Sequence, residues 1–258
     1  RQGAETAMAR LASGKRINSA ADDPAGVAIA SRLNSEIRGT SQAIRNALDG
    51  QALIDTAEGG HKEVENILQR MREIAVQAAN DTNSSQDRAN LNEEMKALST
   101  EIDRIAAATS WAGKNLMNEG SSQFSFQVGT STNAESAITI SIGSMSATAL
   151  SLDHTSITVT SSENSQFAIS AIDQAITSVN SQRSMLGATS NRLNYAVNNL
   201  TNVSTNLVAA LGRIQDADYA AEITALAKHQ ILQKAAIAML AQANASKSYV
   251  LTLLRSLN

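Results

Sequence analysis

The chain has no cysteine, a single proline and few aromatic residues, and each shortage narrows what it can be. Without cysteine there are no disulfides, thiolate metal sites, iron–sulfur ligands or thiol nucleophiles. Pro24 is the one proline in 258 residues, so long stretches are free of the residue that most strongly breaks a helix. Three Phe, three Tyr and one Trp leave a core to be built from Ala, Leu, Ile and Val. Charge of one sign is lacking as well. Twenty-one Lys plus Arg against 24 Asp plus Glu give a net charge of −3, and no local basic patch stands out, so no nucleic-acid partner is expected. No apolar run reaches the ~18 residues of a membrane-spanning helix. The most apolar stretch, Ala235 to Ala241, is too short, so no membrane insertion is expected. The chain opens Arg1-Gln2-Gly3 without an initiating Met, which suggests a natural start upstream.

What is present is helical periodicity. Leu91, Met95, Leu98, Ile102 and Ile105 recur at steps of four and three with charged residues between them, the seam of a coiled coil. The same pattern runs through Ile29, Leu33, Ile37, Ile44 and Leu48, then Val64, Ile67, Met71, Ile74 and Ala78. Gly59-Gly60 is expected to loosen the helix between these runs, and Asn80 to Ser85 reads as a loop. Asp23-Pro24 marks a helix start, because Asp caps free N–H groups and Pro has none to lose at the first helical position. Residues 1–13 look helical through Met8 and Leu11. A further long helix is predicted through Ile169, Ile172, Ile176 and Val179 to Leu207, Leu211 and Ile214.

The character changes in between. Residues 121–165 hold 20 Ser or Thr, and no Lys or Arg occurs between Lys114 and Arg183. Phe124, Phe126 and Val128 alternate with polar residues, as do Ile138, Ile140 and Ile142 and the weaker pair Ile157 and Val159, which is the period of half-buried strands. The competing reading is a disordered Ser/Thr linker. The fold class expected is mainly α: a long antiparallel coiled-coil rod made from both chain ends, with a small inserted subdomain containing a β-hairpin. Such a molecule would be elongated.

Catalytic constellations are weak. His61-Lys62-Glu63-Val64-Glu65 lacks the HExxH order, and His61, His154 and His229 are far apart in sequence, so neither a catalytic nor a metal site is expected. Capping or solvation explains Glu5, Asp22 and Asp23 better than paired-acid chemistry. No phosphate loop, nucleophile elbow or dinucleotide fingerprint is present, and no cofactor is expected.

The run Arg10-Leu11-Ala12-Ser13-Gly14-Lys15-Arg16-Ile17-Asn18-Ser19-Ala20-Ala21-Asp22-Asp23-Pro24-Ala25-Gly26 resembles the N-terminal signature of bacterial flagellins. Gln69 to Asn80 and Glu101 to Ile105 match the next motifs of that family. Arg213 to Ala220, Gln230 to Ala235 and Leu240 to Asn244 resemble its C-terminal region, so the likeness covers roughly residues 1–129 and 167–258. It implies a structural, non-enzymatic subunit of the flagellar filament, exported to the cell surface without a cleaved signal. It also implies residues 1–23 as a partial inner-layer helix and connection, 24–118 as rod helices and 119–166 as the Ser/Thr-rich β subdomain. Residues 167–217 would be the returning rod helix and 218–258 the inner-layer helix. The family usually carries about twenty residues before the position of Arg1, so impaired polymerisation of this chain is an expectation.

By the same resemblance, the terminal helix would order only when neighbours bury its apolar face. Ile223, Leu226, Ile231, Ile237, Met239, Leu240, Val250, Leu251, Leu253 and Leu254 are the residues expected to pack there. Implied partners are other flagellin subunits, an export chaperone and cap or junction proteins. Arg70, Ile74, Gln77 and Glu94 match positions that contribute to the surface seen by the vertebrate flagellin-sensing Toll-like receptor. Two other functions compete: a hook–filament junction protein, and a cell-surface protein binding an extracellular glycan through the polar middle, whose Ser and Thr could also carry O-linked sugars.

Overall fold

The computed structural model describes residues 2–118, 120 and 122–256, with side chains up to Lys247. Among these it holds five α-helices: α1 (Gln2–Ser13), α2 (Pro24–Ala79), α3 (Ser85–Ala108), α4 (Ser162–Gln215) and α5 (Tyr219–Ser256). Two short antiparallel ribbons complete it, β1 (Ser110–Trp111) with β2 (Lys114–Asn115) and β3 (Ser122–Gln127) with β4 (Ala137–Ile142). The protein is thus mainly α with a small β subdomain. It divides into two compact units, one of residues 39–203 and one of residues 1–38 and 204–258, with α2 and α4 each contributing to both.

In the 39–203 unit, α2, α3 and α4 bury one face each because their aliphatic residues recur at the three- and four-residue steps of a helix. Leu68, Met71, Ile74, Met95, Ile102, Ile172, Val179 and Leu193 are all buried in a single cluster. Each such side chain contributes roughly 1.5–3 kcal/mol relative to exposure. Neighbouring helices are also tied at their edges. Arg70 pairs with Glu94 at 2.8 Å between α2 and α3, and Arg72 with Asp173 at 2.6 Å between α2 and α4. Arg183 of α4 sits between Glu58 (2.7 Å) and Glu65 of α2. The order of the α2–α4 contacts makes that pairing antiparallel, and so does the bond from Arg88 Nε to the Ala78 carbonyl at 2.9 Å, taken with Arg70–Glu94, for α2 and α3. The turn between α2 and α3 is closed by a capping box, in which Ser84 accepts from the Asp87 N–H and Asp87 accepts from the Ser84 N–H.

The helix α2 runs unbroken through Gly59-Gly60, where the sequence suggested a loosening. A side chain at Gly60 would put its Cβ 2.6 Å from Met117 Sδ and 2.9 Å from Thr109 Oγ1, whereas nothing lies within 4 Å at Gly59. Gly60 is there for close packing, not flexibility.

The hairpin β3–β4 pairs Phe124 with Ile140 and Phe126 with Ile138, so its aromatic and β-branched residues share the face turned to the core. Ile157 and Val159, expected as a further strand, are buried but form none. Their segment is anchored instead by helix side chains: the Val159 N–H donates to Asn92 Oδ1 at 3.0 Å, and Ser99 Oγ donates to the Leu152 carbonyl at 2.9 Å. Period-2 burial needs only an extended chain. The backbone partner here is α3. The helix α4 begins at Ser162, seven residues before the first periodic apolar position, Ile169, with the Ser162 hydroxyl bonded to the Ala79 carbonyl at 2.9 Å.

Candidate assembly interface

The unit formed by residues 1–38 and 204–258 carries the terminal helices. Its local order explains the most distinctive stretch of sequence. Gly14 has φ +69°, the left-handed conformation that ends α1, and its N–H donates to the Arg10 carbonyl at 2.9 Å. The chain then pairs with the connection between α4 and α5. Arg16 N–H donates to Gln215 O at 2.7 Å, Ala217 N–H donates to Gly14 O at 3.0 Å, and the Arg16 guanidinium reaches Ile214 O at 2.9 Å. Asp22 folds the loop by accepting from the N–H groups of Ser19 and Asn18. Those bonds hold its carboxyl below the usual range, Ser19 contributing most.

Asp23 then caps α2 by accepting from the Gly26 N–H at 2.8 Å. A Cβ on Gly26 would come within 2.5 Å of Asp23 Oδ2 and 2.6 Å of Ile17 Cδ1, so the cap requires glycine there. Gly14, Ile17, Asp22, Asp23, Pro24 and Gly26 therefore answer one structural need. The acids are caps.

Helix α5 opens with Asp218 accepting from the Ala220 N–H at 2.9 Å. It lies antiparallel to α1: Tyr219 Oη donates to the Leu11 carbonyl at 3.1 Å, Arg10 pairs with Glu222 at 2.9 Å, and Gly3 lets the His229 ring approach to about the position a Cβ would occupy. The half-buried stripe Glu222, Ala225, Leu226, His229 and Gln233 is the side facing α1. Beyond it the helix is bare. Every residue from Lys234 to Asn244 is exposed, although Ile237, Met239 and Leu240 are among them at 62%, 70% and 64% exposure.

These apolar side chains do not form one stripe. At about 100° per residue, Ile231, Leu232, Leu240 and Ile237 fall at about 80°, 180°, 260° and 320° around the axis from Ile223. A helix that is apolar on every side belongs in an interior. Ile223, Ile231, Ile237 and Leu240, expected from the sequence, are exposed here, while Leu226 is partly covered by the stripe toward α1. Leu232, which the sequence reading passed over, joins them; its signal was adjacency to Ile231, which puts apolar surface on two sides at once. Val250, Leu251, Leu253 and Leu254 have side chains outside the described residues.

The bacterial flagellin N-terminal helical region matches residues 1–122, and the bacterial flagellin C-terminal helical region matches residues 169–254. A flagellin of Halalkalibacterium halodurans is 44% identical over 97% of this chain and 92% of its own length. The chain belongs to the bacterial flagellin family. A flagellar filament 33 kDa core protein of Treponema phagedenis is 38% identical, covering 96% of this flagellin and 91% of the relative. The crystal structure of Bacillus cereus flagellin superimposes with a TM-score of 0.51 at 29% identity, over 65% of this chain and 94% of that one. This flagellin is accordingly a structural subunit of the bacterial flagellar filament, which assembles from flagellin subunits and serves motility. Nothing in these comparisons favours the junction-protein or glycan-binding readings.

The four positions matched to a receptor surface divide. Arg70 and Gln77 are exposed and Glu94 is partly exposed. Ile74 is fully buried in the helical core, so its side chain is not a surface contact. It lies on the seam that includes Met71 and Ala78, and a seam residue faces its own fold.

Proposed function

We propose that this flagellin polymerises by burying α5 from several sides at once. The observation that carries this is the set of exposed apolar side chains from Ile223 to Leu240, which are spread around the whole helix. A second copy docked on one face would leave the other faces wet. Ile223, Leu226, Ile231, Ile237 and Leu240 are the packing residues of this interface. Contact between non-equivalent surfaces that does not close a ring propagates as an open helix. Ordering of α5 and subunit addition are one event, because the entropy lost on fixing the helix is offset only when neighbours cover it.

In this reading residues 1–23 and 218–258 form the inner layer, 24–118 and 167–217 the supporting rod, and 119–166 the outward subdomain. The subunit is exported and works outside the cell. It performs no catalysis, and an export chaperone and a cap shield or place the α5 surface before assembly. Arg70, Gln77 and Glu94 form the patch open to a flagellin-sensing receptor.

Removing the residues after Ala220 tests the reading. The shortened chain should keep the α-helical unfolding transition of the 39–203 unit and fail to add to filament seeds in light scattering. Addition at the rate of the full chain would overturn it.

A further inference from the structure

A buried histidine outside the α5 surface lies in the 39–203 unit. His61 of α2 is completely buried, between Ala57, Val64 and Leu68 of the same helix face, each also fully buried. Its Nδ1 is 2.7 Å from the Ala57 carbonyl oxygen. A carbonyl can only accept, so the ring proton sits on Nδ1 and Nε2 carries a lone pair. Nε2 is buried without a hydrogen-bond partner, as are Glu58 Oε2 and Gln182 Oε1.

We propose that His61 is an acid-sensitive lock on the helical core: the packing of α2 in the 39–203 unit holds the neutral ring, and protonation loosens it. A second proton would have to go on Nε2, where no acceptor stands within hydrogen-bonding reach, and the resulting charge would have no water around it.

The charged groups around the ring offer little relief. Glu58, one turn away on α2, attracts the proton, but one of its oxygens is committed to Arg183. Arg183 of α4 repels it, and Glu65 is engaged with the same guanidinium. From the segment after α3, the atoms beside the adjacent Gly60 are Met117 Sδ and the Thr109 hydroxyl, both neutral. Asp103 of α3 is exposed and accepts from the Ala147 N–H at 2.8 Å, and Lys114 of β2 sits over the Phe124 ring at 4.6 Å. Burial, the largest influence, holds the His61 pKa below the ordinary 6.5; the Ala57 carbonyl and Glu58 oppose this, and Arg183 adds to it.

The sign follows. Below about pH 6.5 the unfolded chain binds a proton that the folded chain refuses, so stability is complete above that value and falls as pH drops, until the folded state takes the proton too. One proton is worth at most about a tenfold rise in the unfolding constant per pH unit.

Trp111, the single tryptophan, belongs to this unit and packs against its core, so its fluorescence reports the relevant transition. The experiment is urea unfolding of the full chain followed at Trp111 from pH 7.5 to 5, for the unmodified protein, His61→Leu and a His154→Gln, His229→Gln control, together with an NMR titration of the His61 ring. The unmodified chain and the control should show an unfolding constant rising several-fold between pH 6.5 and 5.5. His61→Leu should show a flatter profile, and the ring should stay neutral below the ordinary imidazole range. An unchanged pH profile in His61→Leu, or a ring titrating at or above 6.5, would overturn the proposal. If His61→Leu does not fold, the ring titration and the slope of the unmodified chain decide alone.

Discussion

Two adjacent glycines in the middle of one helix should respond to the same substitution with opposite signs. Gly59→Ala and Gly60→Ala both remove the backbone freedom that glycine gives the unfolded chain, worth about 0.5–1 kcal/mol in a helix interior. At Gly59 the new methyl enters open space, so the full gain should appear. At Gly60 it meets Met117 Sδ at 2.6 Å and Thr109 Oγ1 at 2.9 Å, and Met117 is fully buried, with nowhere to retreat without moving the core. Overpacking of this kind costs about 1–3 kcal/mol, which outweighs the backbone gain. The net expectation is a loss of about 0.5–2 kcal/mol for Gly60→Ala, which leaves the two variants roughly 1–3 kcal/mol apart. Urea unfolding at pH 7.5, monitored at Trp111 and by helical circular dichroism, measures both on the same baseline. If Gly60→Ala proved as stable as Gly59→Ala, the close approach of the β1–β2 segment to α2 would be wrong. If both were destabilised alike, the continuity of α2 through this point would be wrong.

Two further substitutions probe local geometry in the same unit. Ala112 has φ +49° beside Gly113 at φ +80° in the turn joining β1 and β2, so Ala112→Gly should relieve left-handed strain and stabilise by up to about 1 kcal/mol in the same assay, whereas an ordinary glycine substitution would destabilise. Ser84→Ala removes the side-chain half of the capping box of α3 and should cost about 1 kcal/mol, with the loss smaller at a pH low enough to protonate Asp87, whose carboxyl is held below its usual range by the bonds to Ser84.

The helices were legible in the sequence because their apolar spacing has a period that no other element shares. Leu91 to Ile105 illustrates this, as does Asp23-Pro24 at the start of α2. Short-period signals were less complete. Alternation at Phe124, Phe126, Ile138 and Ile140 marked a true hairpin, yet the same alternation at Ile157 and Val159 marked an extended segment pinned by Asn92. Alternation says which side chains are buried and nothing about the backbone's partner. Gly60 was misread because its requirement comes from Met117, which is remote in the chain. Ile74 shows the opposite case: its position on a seam already declared it internal, and matching it to a surface by resemblance overrode that. For the assembly surface, the apolar positions of α5 were readable, but their distribution around the axis became plain only once α1 was seen to cover a single side.

Under the proposed assembly, α5 gains its protection from other subunits. Amide hydrogen exchange along residues 219–247 in the free subunit and in the filament measures this directly. Exchange from Lys234 onward should be rapid in the free chain, with strong protection on all sides of the helix in the filament. Equal protection in both states, or protection confined to one face, would contradict it.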